Sequence, residues 1–113
     1  MLLITRTKID PDSRKKVAED LKGYIKIVVD VRRKILSAGG EKHVDGEQML
    51  LKDGSRQEDL WGINIYPDQP DENRVEFDSM INIRPYMNNR SRGVENIDIQ
   101  KKIVSIVKQL VKE

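Results

Sequence analysis

From residue 24 to 31 the chain alternates: Ile25, Ile27, Val29 and Val31 point one way, and Tyr24, Lys26, Val28 and Asp30 the other. A spacing of two is the side-chain period of a β-strand. The same pattern returns at 61–66, where Trp61, Ile63 and Ile65 share one face and Gly62, Asn64 and Tyr66 the other. Residues 74–84 alternate over their full length, with Val75, Phe77, Ser79, Ile81 and Ile83 opposed to Glu76, Asp78, Met80, Asn82 and Arg84. That is eleven residues, longer than the common strand, so a bend or a bulge that reverses one half is expected.

The remaining segments read around these strands. Residues 2–6 form a short apolar strand. Asp10-Pro11 starts a helix: Asp10 can accept from first-turn amides, and Pro11 suits the first helical position. Gly23 ends it. Arg32-Arg33-Lys34 turns the chain into a strand over 35–38, although the usual Asn-Gly signal is missing and a helix through Val31 to Ser37 competes. Residues 43–54 favour a short helix capped by Asp45 over a strand at 48–52. A loop at 85–95 leads to a last helix capped by Asn96, with Ile99, Ile103, Ile106, Val107 and Leu110 on its apolar face.

The pattern predicts an α+β domain with a mostly antiparallel sheet, the N- and C-terminal helices packed on one face. Such sheets commonly bury one face and leave the other wet. The wet face would carry Asn64, Tyr66, Glu76, Asp78, Asn82 and Arg84. Asn and Asp are poor strand formers, so these side chains are either needed for hydrogen bonding to something outside the strand or simply solvated and satisfying one another.

Composition narrows the function. The chain's 113 residues fit one domain. Without cysteine there is no disulfide, no thiolate metal site and no thiol nucleophile. A net charge of +2 with few aromatics argues against nucleic acid, whose binders cluster Lys and Arg. No apolar run approaches the roughly 20 residues that span a bilayer, and the first residues lack the apolar region of a signal peptide. A cytoplasmic protein is expected.

Several constellations invite chemistry. His43, Asp45 and Glu47 offer an imidazole and two carboxylates at spacing two, a donor set that suits Zn, Mn or Fe. Asp59, Glu76 and Asp78 could hold Mg or Mn for phosphoryl chemistry. A divalent metal is thus the cofactor to consider, with His43, Asp45, Glu47 and Asp78 as its ligands. Arg84, Arg90 and Arg92, with Asn88, Asn89 and Ser91, precede the last helix and would suit an anion. Ser55 lacks the context of a catalytic nucleophile.

Three runs carry a resemblance: QEDLWGINIYP at 57–67, EFDSMINIRP at 76–85 and NRS at 89–91. With VVDV at 28–31 and DGS at 53–55, the chain resembles a family of small prokaryotic proteins defined as a domain of unknown function. The resemblance implies a stand-alone prokaryotic domain and brings no activity, cofactor or catalytic residue with it.

The leading expectation is a non-catalytic domain that holds an anionic ligand or an acidic protein partner through Asn64, Tyr66, Glu76, Asp78, Asn82, Arg84, Asn89 and Arg90. It could pair as a homodimer through an open sheet face. The competing expectations are a metal-dependent enzyme acting on a phosphoester or nucleotide and, behind it, a nucleic-acid binder.

Overall fold

A computed structural model describes residues 1–70 and 74–111. Five strands form one antiparallel sheet in the order β1-β3-β2-β4-β5: β1 (Leu2–Thr5), β2 (Ile25–Asp30), β3 (Ile35–Gly39), β4 (Leu60–Ile65) and β5 (Val75–Glu76). Among the described residues three α-helices accompany it: α1 (Pro11–Ala18), α2 (His43–Lys52) and α3 (Ile97–Leu110). The α+β reading holds, with the terminal helices on one face.

That face is the larger core. Val17 of α1 and Ile103, Ile106, Val107 and Leu110 of α3 pack on Ile25, Ile27, Val29, Trp61, Ile63 and Ile65. Asp10 and Asn96 cap these two helices through the amides of Ser13 and Ile99, as their sequence positions suggest.

The opposite face is covered as well, contrary to the open face expected from the alternation. Leu50 and Leu51 of α2 pack with Ile81 on Val28, Ile35 and Leu60. Gly46 lets α2 approach this closely, since a Cβ there would stand 2.3 Å from Ser37 Oγ. The N-cap position of α2 belongs to Lys42, which makes no side-chain capping bond; Asp45 lies in the first turn and caps nothing.

The β2–β3 hairpin closes without Asn-Gly because Asp30 does the work. Its Oδ1 accepts from the amides of Arg32 and Arg33, both at 2.9 Å, and its Oδ2 accepts from Ser55 Oγ at 2.6 Å. Lys34 adopts the left-handed conformation that completes the turn. Ser55 also accepts from Arg33 Nη1, so its hydroxyl is committed to the fold.

The strand expected over 74–84 shrinks to Val75–Glu76, followed by a 3-10 turn at Met80–Asn82 whose Ile81 amide is held by Ser79 Oγ. The alternation therefore breaks. Val75 and Phe77 reach the first core, Ile81 packs in the second, and Ile83 is exposed.

Candidate functional site

The even-numbered residues of β4 turn their backbone groups towards the β5 side, and β5 is too short to meet them all. Asn64 pairs with Glu76, and the Tyr66 amide donates to Arg74 O. At Gly62 a side chain replaces the missing strand. Asn82 Oδ1 accepts from the Gly62 amide at 2.8 Å, and Asn82 Nδ2 donates to the Gly62 carbonyl at 2.9 Å. Two residues earlier, Arg84 Nη2 donates to the Leu60 carbonyl at 2.6 Å, and Nη1 to that of Gln57. A carboxamide and a guanidinium thus extend the ladder, which satisfies buried backbone groups that would otherwise be costly.

This arrangement settles the position of half of the sequence-derived candidates. Asn82, Arg84 and Asn89 are buried. The Arg84 guanidinium lies over the Trp61 ring, 4.2 Å from its centroid, in a cation–π contact. Asn89 Nδ2 donates to the carbonyls of Asn82, Ser91 and Gly93, and its Oδ1 accepts from the Glu95 amide. Asn64 is buried too, donating to Glu76 Oε1 and more weakly to the Asp78 carbonyl. Tyr66 OH donates to the same Glu76 oxygen, and its ring stacks on Tyr24. Asp78 accepts from Arg92 Nε at 2.6 Å. Arg90 is exposed, with its amide held by Glu95. The three arginines of the loop therefore do not converge: Arg84 is inside, Arg92 is ion-paired and Arg90 faces outward.

His43, Asp45 and Glu47 share a helix, which separates them. His43 is the first residue of α2 and is buried; its Nε2 donates to the Ile63 carbonyl at 2.7 Å. Burial, only partly offset by that bond, pulls its pKa down to about 4. Glu47 is buried one turn on, and burial raises its pKa against the opposing pull of Gln57 and Arg84. Asp45 is exposed. Among the described residues no group of three or more His, Asp or Glu is placed to hold a metal ion.

A pH dependence follows. Between pH 6.5 and about 4 the unfolded chain protonates its histidine and the folded chain does not, so stability falls as pH falls through this window. The full shift corresponds to about 3 kcal/mol. Glu47 acts in the opposite sense, losing stability as pH rises above its ordinary value. Chemical denaturation of the wild type and His43→Gln at pH 7 and pH 4 should show a smaller acid loss in the variant by about 2–3 kcal/mol; equal losses would refute the assignment to His43.

Outside this buried network the surface opens into a cavity of about 270 Å³ between the start of α2 and the 3-10 turn at Met80–Asn82. Lys26, Lys42 and Arg92 line it with Glu41, and Val44 and Met80 stand beside them, 42% and 66% exposed. His43 and Ser79 lie in its wall. Of these residues His43 stood out in the sequence as a metal ligand and Arg92 as part of a loop suited to an anion. Met80 was obscured because the pattern placed it on a strand. Exposed apolar side chains beside clustered cations would have been the signal, and that clustering requires the fold.

A family model described as a protein of unknown function, DUF5674, matches residues 3–110. The chain belongs to the DUF5674 family. The match begins inside β1 and takes in every later strand and helix above, so the ladder built by Asn82 and Arg84 lies within the family's own boundaries. No curated protein and no solved structure matches the chain. No helix among the described residues is long and apolar enough to cross a membrane.

Proposed function

We propose that this chain is a non-catalytic interaction domain that binds an acidic protein segment at the surface around His43. The observation that supports this reading is the meeting of Lys26, Lys42 and Arg92 with exposed Val44 and Met80 around one cavity. Glu41 lines the cavity beside these cations and Asp78 pairs with Arg92, so Lys26 and Lys42 carry its excess positive charge. Apolar side chains ringed by charge are the usual anatomy of a recognition patch, where the apolar anchor gives affinity and the charges give orientation and rate. His43 is bonded inward and neutral at pH 7, so it contributes shape to the wall rather than acid–base chemistry.

The test uses the labelled protein and an acidic peptide with a leucine anchor, Asp-Glu-Leu-Leu-Glu. Amide shifts are expected at Lys42, Val44 and Met80. Binding should weaken by about tenfold in the Lys26→Glu/Lys42→Glu variant, and several-fold between roughly 50 and 200 mM salt as the screening length shortens. Absence of shifts at millimolar peptide, or unchanged binding by the charge-reversed variant, would refute the reading.

A further inference from the structure

The helix-covered face of the sheet stays open at one end. Ile25, Ile65 and Val75 lie side by side across β2, β4 and β5, and their side chains belong to the core beneath α1 and α3. Over this row a cavity of about 300 Å³ opens between Arg14 of α1 and Val104, Val107 and Lys108 of α3. A second hollow of about 460 Å³ runs along α3 beside Phe77. Val104 and Lys108 line both, so the two make one groove.

The lining of this groove divides by chemistry. Val75, Phe77 and Val104 are apolar and only partly buried. Apart from Arg14, Asp68, Arg74 and Lys108, every described residue that lines the first cavity is apolar. A ligand rich in hydroxyl or amide groups would lose water there for little return. Arg14 and Arg74 have interactions of their own within the chain. Lys101 and Lys108 differ: both are exposed, and their ammonium groups make no ion pair or hydrogen bond among the described residues. An apolar trough with two uncommitted cations along its rim suits a molecule that is apolar along its length and anionic at one end.

We propose that this groove binds a medium-chain fatty-acid carboxylate. The acyl chain lies over Val75 and Val104, and the carboxylate meets Lys108 at the rim. The first cavity has room for about ten carbon-sized groups at the roughly 30 Å³ that a water molecule occupies, and a longer chain continues towards Phe77. The groove lies on the α1 and α3 face of the sheet, and the His43 surface lies at the start of α2 on the other, so neither proposal depends on the other.

The test follows the methyl resonances of Val75 and Val104 while octanoate is added to the full chain. Saturable shifts are expected, with a dissociation constant of roughly 1 mM. Binding should tighten about tenfold from hexanoate to octanoate, as two more methylenes are buried. Octylammonium, with the same chain and the opposite charge, should bind at least about tenfold more weakly than octanoate. Lys108→Met keeps the apolar stem of this exposed residue and removes its charge; it should weaken octanoate about fourfold and leave octan-1-ol unchanged. Methyl peaks unmoved by about 10 mM octanoate, an affinity indifferent to chain length, or octylammonium binding as tightly as octanoate overturns the proposal. So do shifts of the same methyls with protein concentration alone, which would place a second copy of the chain in the groove.

Discussion

Replacing Asn82 by leucine is expected to cost the fold about 4 kcal/mol, much of the stability of a small domain. Leucine has nearly the same shape, so the loss measures hydrogen bonding rather than volume. Asn82 is fully buried, and its carboxamide serves the Gly62 amide, the Gly62 carbonyl and the Arg92 carbonyl. Leucine would leave the Gly62 amide and carbonyl buried and unmatched, at roughly 1–3 kcal/mol each before relaxation, while the Arg92 carbonyl would keep the Ser79 amide as its donor. Asn82→Asp should fall between, because it keeps an acceptor for the Gly62 amide and turns negative charge on the two carbonyls. The midpoint and slope of urea denaturation report the difference. A loss under about 1 kcal/mol for Asn82→Leu would mean that the carboxamide does not replace a strand at this edge.

The second large effect is steric. A Cβ on Gly62 would lie 2.5 Å from both Cβ and Oγ of Ser79 and 3.2 Å from His43 Cδ2. Both neighbours are buried, so neither can swing away freely. Gly62→Ala is therefore expected to destabilise by about 3 kcal/mol, the upper end of overpacking in a tight core. Ser79→Gly removes the two closest atoms, and the double variant should recover about half of the loss. This non-additivity distinguishes a local clash from a general intolerance of alanine in the strand. Purely additive losses would show that the backbone of β4, rather than Ser79, resists the change.

These two residues connect the fold to the surface proposed as functional. Asn82 and Gly62 hold the 3-10 turn at Met80–Asn82 against β4, and that turn presents Met80 beside Lys42 and Val44. The buried polar side chains that the sequence offered as a binding surface bond to the fold's own backbone, and the recognition surface proposed here is the rim that they position.

The sequence alone determined the period-two strands, read at 24–31 and 61–66 and found at 25–30 and 60–65, the caps at Asp10 and Asn96, and the α+β class, because each depends on residues close in the chain. Family membership was legible for the same reason: the runs around Trp61 and Asn82 are contiguous. Only the tertiary structure decided what the second half of the long alternation does. Alternation records which side chains are apolar, and it does not show whether the backbone or a side chain completes the ladder. Asn82 and Arg84 matched the pattern of a wet strand face, yet they lie inside, because β5 is short and the carbonyls of Leu60 and Gly62 need partners. Similarly, α2 was legible as a helix, but its seat on Ser37 depends on the absent side chain of Gly46, a contact between residues of two separate elements. Packing across the sheet assigned each polar residue to scaffold or surface, since burial is a property of the assembled layers and not of any one segment.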